Sequence, residues 1–436
     1  MDRKEFVRRR RRLMDMMDES SVAIVPTAPE QQRNRDVDFP FRPDSDFYYL
    51  TGFGEPQSLA VLVPGREQGE FLLFCRENDP EKETWHGARA GLEGACERFG
   101  ADDAFPIDDL DDIVPGLLEN RGSLYYAMGY YPELDAQVIG WVNSVRRNAR
   151  NRATAPAEFI ALDHLLHDMR VVKSRAEIGV MRKAAAISAV AHKRAMRKTR
   201  PGRKEYEIEA ELLYEFSKRG SRFPAYPSIV AGGRNACTLH YNENDDTLKD
   251  GELLLIDAGA ELDCYASDIT RTFPVNGRFS RAQRTVYEIV LAAQAAAIDK
   301  VRPGNHWNEP HEAAVEVLTE GLREMGVLKG RTATLIKNER YKPFYMHRTG
   351  HWLGMDVHDV GDYKIEDEWR ALEPGMVMTV EPGLYIPARS KGVAKKWWNI
   401  GVRIEDDVVV TKEGPEVLTG GVPKAVDEVE ALVGRG

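Results

Sequence analysis

Beyond residue 172 the chain repeats one run of structural signals. Ser174-Arg175-Ala176-Glu177 is a capping box, in which a serine hydroxyl and a glutamate carboxylate satisfy orphan amides at a helix start. The helix it opens sets Val180, Ala184, Ile187, Ala191 and Ala195 on one face and ends at Arg200-Pro201-Gly202. About a hundred residues later, Ser280-Arg281-Ala282-Gln283 opens an Ala-rich helix that ends at Arg302-Pro303-Gly304. After each Arg-Pro-Gly comes a further amphipathic helix closed by glycine, Gly220 and then Gly326. Repetition of this kind predicts an internal duplication, and hence two like halves packed about a shared axis.

The duplication extends to strands. Leu253-Leu254-Leu255-Ile256 is an apolar run ending on Asp257, and Met376-Val377-Met378-Thr379-Val380 is one ending on Glu381. A little later each half supplies a second acid, Asp268 in Ser267-Asp268-Ile269-Thr270 and Glu405 in Val402-Arg403-Ile404-Glu405. A carboxylate closing a strand of Leu, Ile and Val loses several kcal/mol of hydration unless something compensates it. Single acids of this sort usually end in separate surface ion pairs; four at duplicated positions favour one shared site. There two divalent cations would cancel four negative charges, and a water shared between them would lose a proton near neutral pH.

Histidine points the same way. Three of the ten histidines, His347, His351 and His358, fall in one twelve-residue stretch. Arg348 stands where an H-E-x-x-H zinc helix would need glutamate, and Gly350 weakens a helix, which argues against that arrangement. An imidazole with several carboxylates suits Mn²⁺, with Co²⁺, Fe²⁺ or Zn²⁺ as alternatives. His192, inside a helix, reads as a packed residue, and Cys264, with no base nearby in sequence, as a structural thiol.

Ahead of the duplication, Val22–Val25, Leu59–Val63, Phe71–Cys75 and Leu124–Ala127 read as buried strands alternating with helices. We therefore expect an α/β N-terminal domain over 1–172 and a pseudo-duplicated α+β domain over 173–436. The Arg8–Arg12 run reads as the solvated face of a first helix whose Phe6, Leu13 and Met17 pack inward; no apolar segment follows it, as a targeting signal would need. With 60 Lys plus Arg against 70 Asp plus Glu, a net charge of −10 argues against nucleic-acid binding. No apolar run approaches the ~18 residues of a membrane span. Four scattered cysteines suit a reducing, cytoplasmic setting. Ala231-Gly232-Gly233-Arg234-Asn235 is no dinucleotide fingerprint.

Taken in order, Ile256-Asp257-Ala258-Gly259, Ser267-Asp268-Ile269-Thr270-Arg271-Thr272-Phe273, His351-Trp352-Leu353-Gly354, Thr379-Val380-Glu381-Pro382-Gly383 and Arg403-Ile404-Glu405-Asp406-Asp407 resemble the creatinase/aminopeptidase P/prolidase family, whose fold is called pita-bread. Arg42-Pro43-Asp44-Ser45-Asp46-Phe47-Tyr48-Tyr49-Leu50-Thr51-Gly52-Phe53 resembles the N-terminal domain of the bacterial aminopeptidases P within that family. The resemblance implies two metal ions held by Asp257, Asp268, His351, Glu381 and Glu405. It implies release of the N-terminal residue from peptides with proline second, by attack of a metal-bridging hydroxide. Glu381 is then the expected base, and His240 and His358 the imidazoles that meet the oxyanion and the substrate backbone. His347 and Tyr385 are expected at the proline ring, with Trp85 contributed by the N-terminal domain; core packing is an equal alternative for Trp85 and Tyr385. Arg403, two residues from Glu405 on an expected strand, would orient a ligand carboxylate or meet the substrate. One departure stands out: His347-Arg348-Thr349-Gly350-His351 replaces the family's frequent His-Gly-Leu-x-His and puts an arginine beside the site.

Prolidase action on Xaa-Pro dipeptides is the near alternative within the family, and a non-catalytic peptide-binding module the alternative outside catalysis. Members of the latter kind have lost metal ligands, whereas all five positions are filled here. Methionine aminopeptidases share the ligand geometry but usually lack so long an N-terminal domain. By the same resemblance, a homodimer or homotetramer is expected. The Lys391–Trp398 stretch is expected to be an exposed rim or subunit contact.

Overall fold

In the computed structural model, residues 1–147 and 153–435 are described. They form two compact units, Met1–Met169 and Arg170–Gly436.

The N-terminal unit is built on a six-stranded mixed sheet. Its spatial order is Asp103–Pro106, Phe71–Cys75, Leu59–Leu62, Ser21–Pro26, Ser123–Tyr126, Glu158–Ile160. Ser21–Pro26 runs antiparallel to Leu59–Leu62 and parallel to Ser123–Tyr126. The central strands are apolar without alternation because both of their faces are covered. Val61, Leu72, Phe74 and Leu124 meet Val114, Leu118, Val138 and Trp141 from the Leu110–Leu118 and Pro132–Arg147 helices.

The arginine run departs from expectation. Phe6, Leu13 and Met17 are buried, but so are Arg9 and Arg10 on the Arg3–Met14 helix. Arg9 donates to the Tyr49 carbonyl at 3.0 Å and lies 4.0 Å from that ring's centre. Arg10 donates to the Leu50 carbonyl at 2.8 Å and lies 3.9 Å from the Phe71 ring centre. Carbonyl acceptors and aromatic faces compensate two charges that a run of like residues made look solvated.

The C-terminal unit shows the duplication. Capping boxes at Ser174 and Ser280 start the Arg175–Lys198 and Arg281–Asp299 helices. Each packs on the helix after its Arg-Pro-Gly, Glu205–Lys218 and Glu309–Glu324 respectively. In the first half, strand Leu253–Asp257 pairs antiparallel with Thr270–Pro274; in the second, Val377–Val380 pairs antiparallel with Asp406–Thr411. Each half has its own core, one around Ile208, Leu254 and Phe273, the other around Val290, Leu318 and Val380. Trp397, in the stretch expected to be an exposed rim, is buried in that second core, because the Lys395–Trp397 turn folds it inward. Among the described residues, no helix is long and apolar enough to cross a membrane.

Candidate metal centre

All four acids sit where a strand starts or stops. Asp257 is the last residue of Leu253–Asp257, and Glu381 follows Val377–Val380 directly. Asp268 precedes Thr270–Pro274, and Glu405 lies between Ile400–Arg403 and Asp406–Thr411. Arg403 and Glu405 therefore do not share a continuous strand, contrary to the alternation argument. Leaving the ladder at these points lets a side chain turn into the space between the two halves.

Two close backbone approaches bring the acids and the histidine together. A Cβ on Gly259 would fall 1.5 Å from the Ser267 carbonyl oxygen, so only glycine lets the chain after Asp257 lie against the chain before Asp268. A Cβ on Gly350 would fall 2.0 Å from the Thr379 carbonyl oxygen. Here the His351 segment runs against the second-half strand, with Glu381 N donating to Thr349 O at 2.7 Å and Thr379 N to His351 O at 3.0 Å.

The result is a tight cluster. Asp268, His351 and Glu405 offer ligand atoms all within 4.8 Å of one another. His351 Nε2 lies 3.5 Å from both Asp268 Oδ2 and Glu381 Oε1. Its Nδ1 donates to the Trp352 carbonyl at 2.8 Å, which leaves Nε2 free to face the acids. Asp257 joins through Tyr226, whose hydroxyl lies 2.6 Å from Asp257 Oδ1 and also touches Asp268 Oδ1. Thr270 donates to Glu405 Oε2 at 2.6 Å and Thr379 to Glu381 Oε1 at 3.3 Å. Each half thus lends a threonine to orient one carboxylate.

Electrostatically the cluster is under-compensated. Burial, helped by Asp268 and Asp257, pushes Glu381 up to about 7. Glu405 and Asp268 are raised for the same reasons, burial first and neighbouring carboxylates second. Burial alone would lower His351, but Asp268 and Glu381 outweigh it and hold it at about 9. Oxygen-rich donors plus one imidazole, buried and crowded together, fit hard or borderline divalent cations and offer no thiolate.

A cavity of about 650 Å³ opens onto the cluster. His240, His347 and His358 stand on its wall, with Trp307, Tyr363 and Trp369 giving it an apolar side. The His358 ring lies 4.3 Å from that of His351. Tyr385, expected at the proline ring, is fully buried and does not line the cavity; its hydroxyl acts through two residues that do. Arg403 Nη1 donates to that hydroxyl at 3.0 Å, and the hydroxyl lies 2.8 Å from His347 Nε2. His347 Nδ1 in turn lies 2.7 Å from the Arg348 carbonyl, which makes it the protonated nitrogen of a neutral ring. Burial and Arg403 lower His347 to about 3, in keeping with that neutral form. Trp85 belongs to the N-terminal unit, exposed on the Pro80–His86 helix.

Tyr226, Thr270, Thr379 and the three aromatic wall residues escaped the reading of the sequence. Only the threonines left a signal there, since each lies two residues from an acid and so on the same side of an extended chain.

Residues 179–412 match the model of metallopeptidase family M24, and residues 6–125 that of the aminopeptidase P N-terminal domain. The Xaa-Pro aminopeptidase of Escherichia coli K12 is 44% identical over 99% of this chain and 98% of its own. The structure of Pseudomonas aeruginosa aminopeptidase PepP superposes with a TM-score of 0.98 at 61% identity, covering 99% of this chain and 98% of that one. Zinc-substituted E. coli aminopeptidase P in complex with product gives 0.96 at 44% identity, over 99% and 98% of the two chains. The chain therefore belongs to metallopeptidase family M24, with an aminopeptidase P N-terminal domain ahead of its M24 unit.

Proposed function

We propose that the protein is an Xaa-Pro aminopeptidase, which releases the N-terminal residue of peptides with proline in second place. One observation carries this reading: acids from both halves and His351 converge on the floor of a cavity large enough for a short peptide. Full-length similarity to Xaa-Pro aminopeptidases supports the choice of substrate.

Asp257, Asp268, His351, Glu381 and Glu405 would hold two divalent cations, with Mn²⁺ favoured by the oxygen-rich set. Bound there, the cations would supply Lewis acidity at the scissile carbonyl and a water acidic enough to attack near neutral pH. Glu381, on the cavity wall, would take the proton of the attacking water and pass it to the departing proline nitrogen. His240 and His358, both on the cavity wall, would donate to the carbonyl oxygen as charge develops on it, each such donor contributing about 10²–10³ in kcat. The Arg403–Tyr385–His347 chain fixes the His347 ring, which can then pack against a substrate proline without competing for its missing N–H. Trp307, Tyr363 and Trp369 supply the apolar surface that such a ring needs.

The same reading places the enzyme in the cytoplasm as a homo-oligomer. An Xaa-Pro-Yaa tripeptide and an Xaa-Pro dipeptide compared at saturating Mn²⁺ test it. Cleavage of the tripeptide with release of free Xaa supports the aminopeptidase; turnover of the dipeptide alone would make the enzyme a prolidase.

A further inference from the structure

Arg348 lines the same cavity as Glu381, Asp268 and His351. It is one peptide unit from His347, whose Nδ1 lies 3.8 Å from Glu381 Oε2. Its backbone carbonyl accepts from that imidazole at 2.7 Å, so the main chain beneath the side chain is held. The guanidinium is held too: it donates to Asn308 Oδ1 and lies 5.0 Å from the centre of the Trp369 ring.

Yet the group is exposed and, among the described residues, forms no ion pair. Glu366, Asp367 and Glu368, in the hairpin that carries Trp369, do not pair with it. Instead a second cation, Lys364 Nζ, lies 4.8 Å from the same indole centre. A planar donor fork braced by an aromatic ring and an amide, with no carboxylate of its own, is built to accept one from outside.

With the charge of the four acids cancelled by the cations they would hold, Arg348 is a positive charge on the cavity wall with no carboxylate partner among the described residues, and a carboxylate of the bound peptide would supply one. An extended chain advances about 3.3–3.6 Å per residue, which puts the residue after the proline within reach of a long side chain next to His347. We propose that Arg348 is a specificity residue that binds a carboxylate on the residue following proline, borne either by the chain terminus of a tripeptide or by an acidic side chain. The proposal rests on the aminopeptidase reading.

The test measures kcat and KM for Ala-Pro-Ala, Ala-Pro-Ala-amide and Ala-Pro-Asp-amide with the Mn²⁺-loaded native enzyme, Arg348→Ala and Arg348→Lys. The native enzyme should prefer at least one carboxylate-bearing peptide to Ala-Pro-Ala-amide by about tenfold in kcat/KM, mostly through KM. In Arg348→Ala that ratio should collapse to about one, and Arg348→Lys should restore part of it. Preference for Ala-Pro-Ala identifies the chain terminus as the ligand, and preference for Ala-Pro-Asp-amide the side chain. Cleavage of all three peptides without a charge preference, or a preference that survives in Arg348→Ala, overturns the assignment of Arg348 while leaving the aminopeptidase intact. Failure of the native enzyme on every peptide overturns both.

Discussion

Arg403 Nη2 lies 2.6 Å from Asp257 Oδ2, and among the described residues no other arginine or lysine pairs with a carboxylate of the cluster. Its other nitrogens reach Thr270 at 3.0 Å and Tyr385 at 3.0 Å, so one guanidinium joins the first-half acid to His347 and, through Thr270, to Glu405. Replacing it by methionine keeps the packing and removes all three bonds. Second-layer contacts of this type are worth about 10–100-fold in metal affinity or activity. We expect Arg403→Met to lose at least that in kcat/KM, with weaker Mn²⁺ binding by calorimetry; unchanged affinity and rate would show that Asp257 is oriented without it.

The crowding of Asp268 against Glu405 and Glu381 makes the centre a stability element as well as a reactive one. A ligand that binds only the folded state stabilises it by RT ln(1 + [L]/Kd), about 2.7 kcal/mol at a hundredfold excess over Kd. Mn²⁺ should accordingly raise the melting temperature of chelator-treated protein and bind with a stoichiometry of about two per chain. Asp268→Asn should relieve repulsion in the metal-free protein, so that it melts no lower than native without metal, yet gains less on adding Mn²⁺ and loses turnover. Native-like activity of that variant would remove Asp268 from the ligand set.

How much of this was legible beforehand follows from where each signal lies. Asp257, Asp268, Glu381 and Glu405 could be found because duplication wrote the same pattern twice: an apolar strand, an acid, then another acid. Tyr226 had no such echo. It meets Asp257 and Asp268 because the chain folds back over about thirty to forty residues, and contacts between distant residues leave no local period. From its sequence context Tyr385 read as a pocket wall no better than as core packing. Its ring is buried, and only the hydroxyl is used. Arg9 and Arg10 were misjudged because compensation by the Tyr49 and Leu50 carbonyls is tertiary.

The loop that carries His351 and His358 is anchored by a buried ion cluster. Asp359 accepts from Lys173 Nζ at 2.8 Å and from Arg170 Nη2 at 2.6 Å, and its backbone N–H donates to Trp352 O at 2.9 Å. Burial would raise the Asp359 carboxyl, but Lys173 and Arg170 outweigh it and lower it below its ordinary value. With the folded value depressed, the stabilisation is present above the unfolded value of about 3.9 and is lost as pH falls through the folded one. Asp359→Asn should cost about 3–5 kcal/mol near neutral pH, because it leaves the buried Lys173 ammonium facing an amide and Arg170 with only the partly exposed Asp356. Urea titrations at neutral pH and below pH ~4 should show the gap between native and variant narrowing in acid. A gap independent of pH would mean that the carboxylate charge is not what holds the loop.

Gly350 gives the sharpest separation between packing and ligand chemistry. It contributes no atom to the centre, yet a Cβ there would stand 2.0 Å from a backbone oxygen of the strand that leads to Glu381. That oxygen cannot swing aside as a side chain would, so Gly350→Ala must part the His351 segment from the Val377–Val380 strand. We expect a stability loss of about 1–3 kcal/mol, as for other overpacked positions, together with weakened Mn²⁺ binding because His351 moves with its segment. Gly116→Ala is the matched control: Gly116 lies in the Leu110–Leu118 helix with nothing within 4 Å of the added methyl, and alanine there should stabilise by about 0.5–1 kcal/mol. If Gly350→Ala loses stability but binds Mn²⁺ as native does, His351 is seated by its Trp352 hydrogen bond rather than by the approach of the two segments. If it loses both, the glycine belongs to the metal centre as surely as the five side chains do.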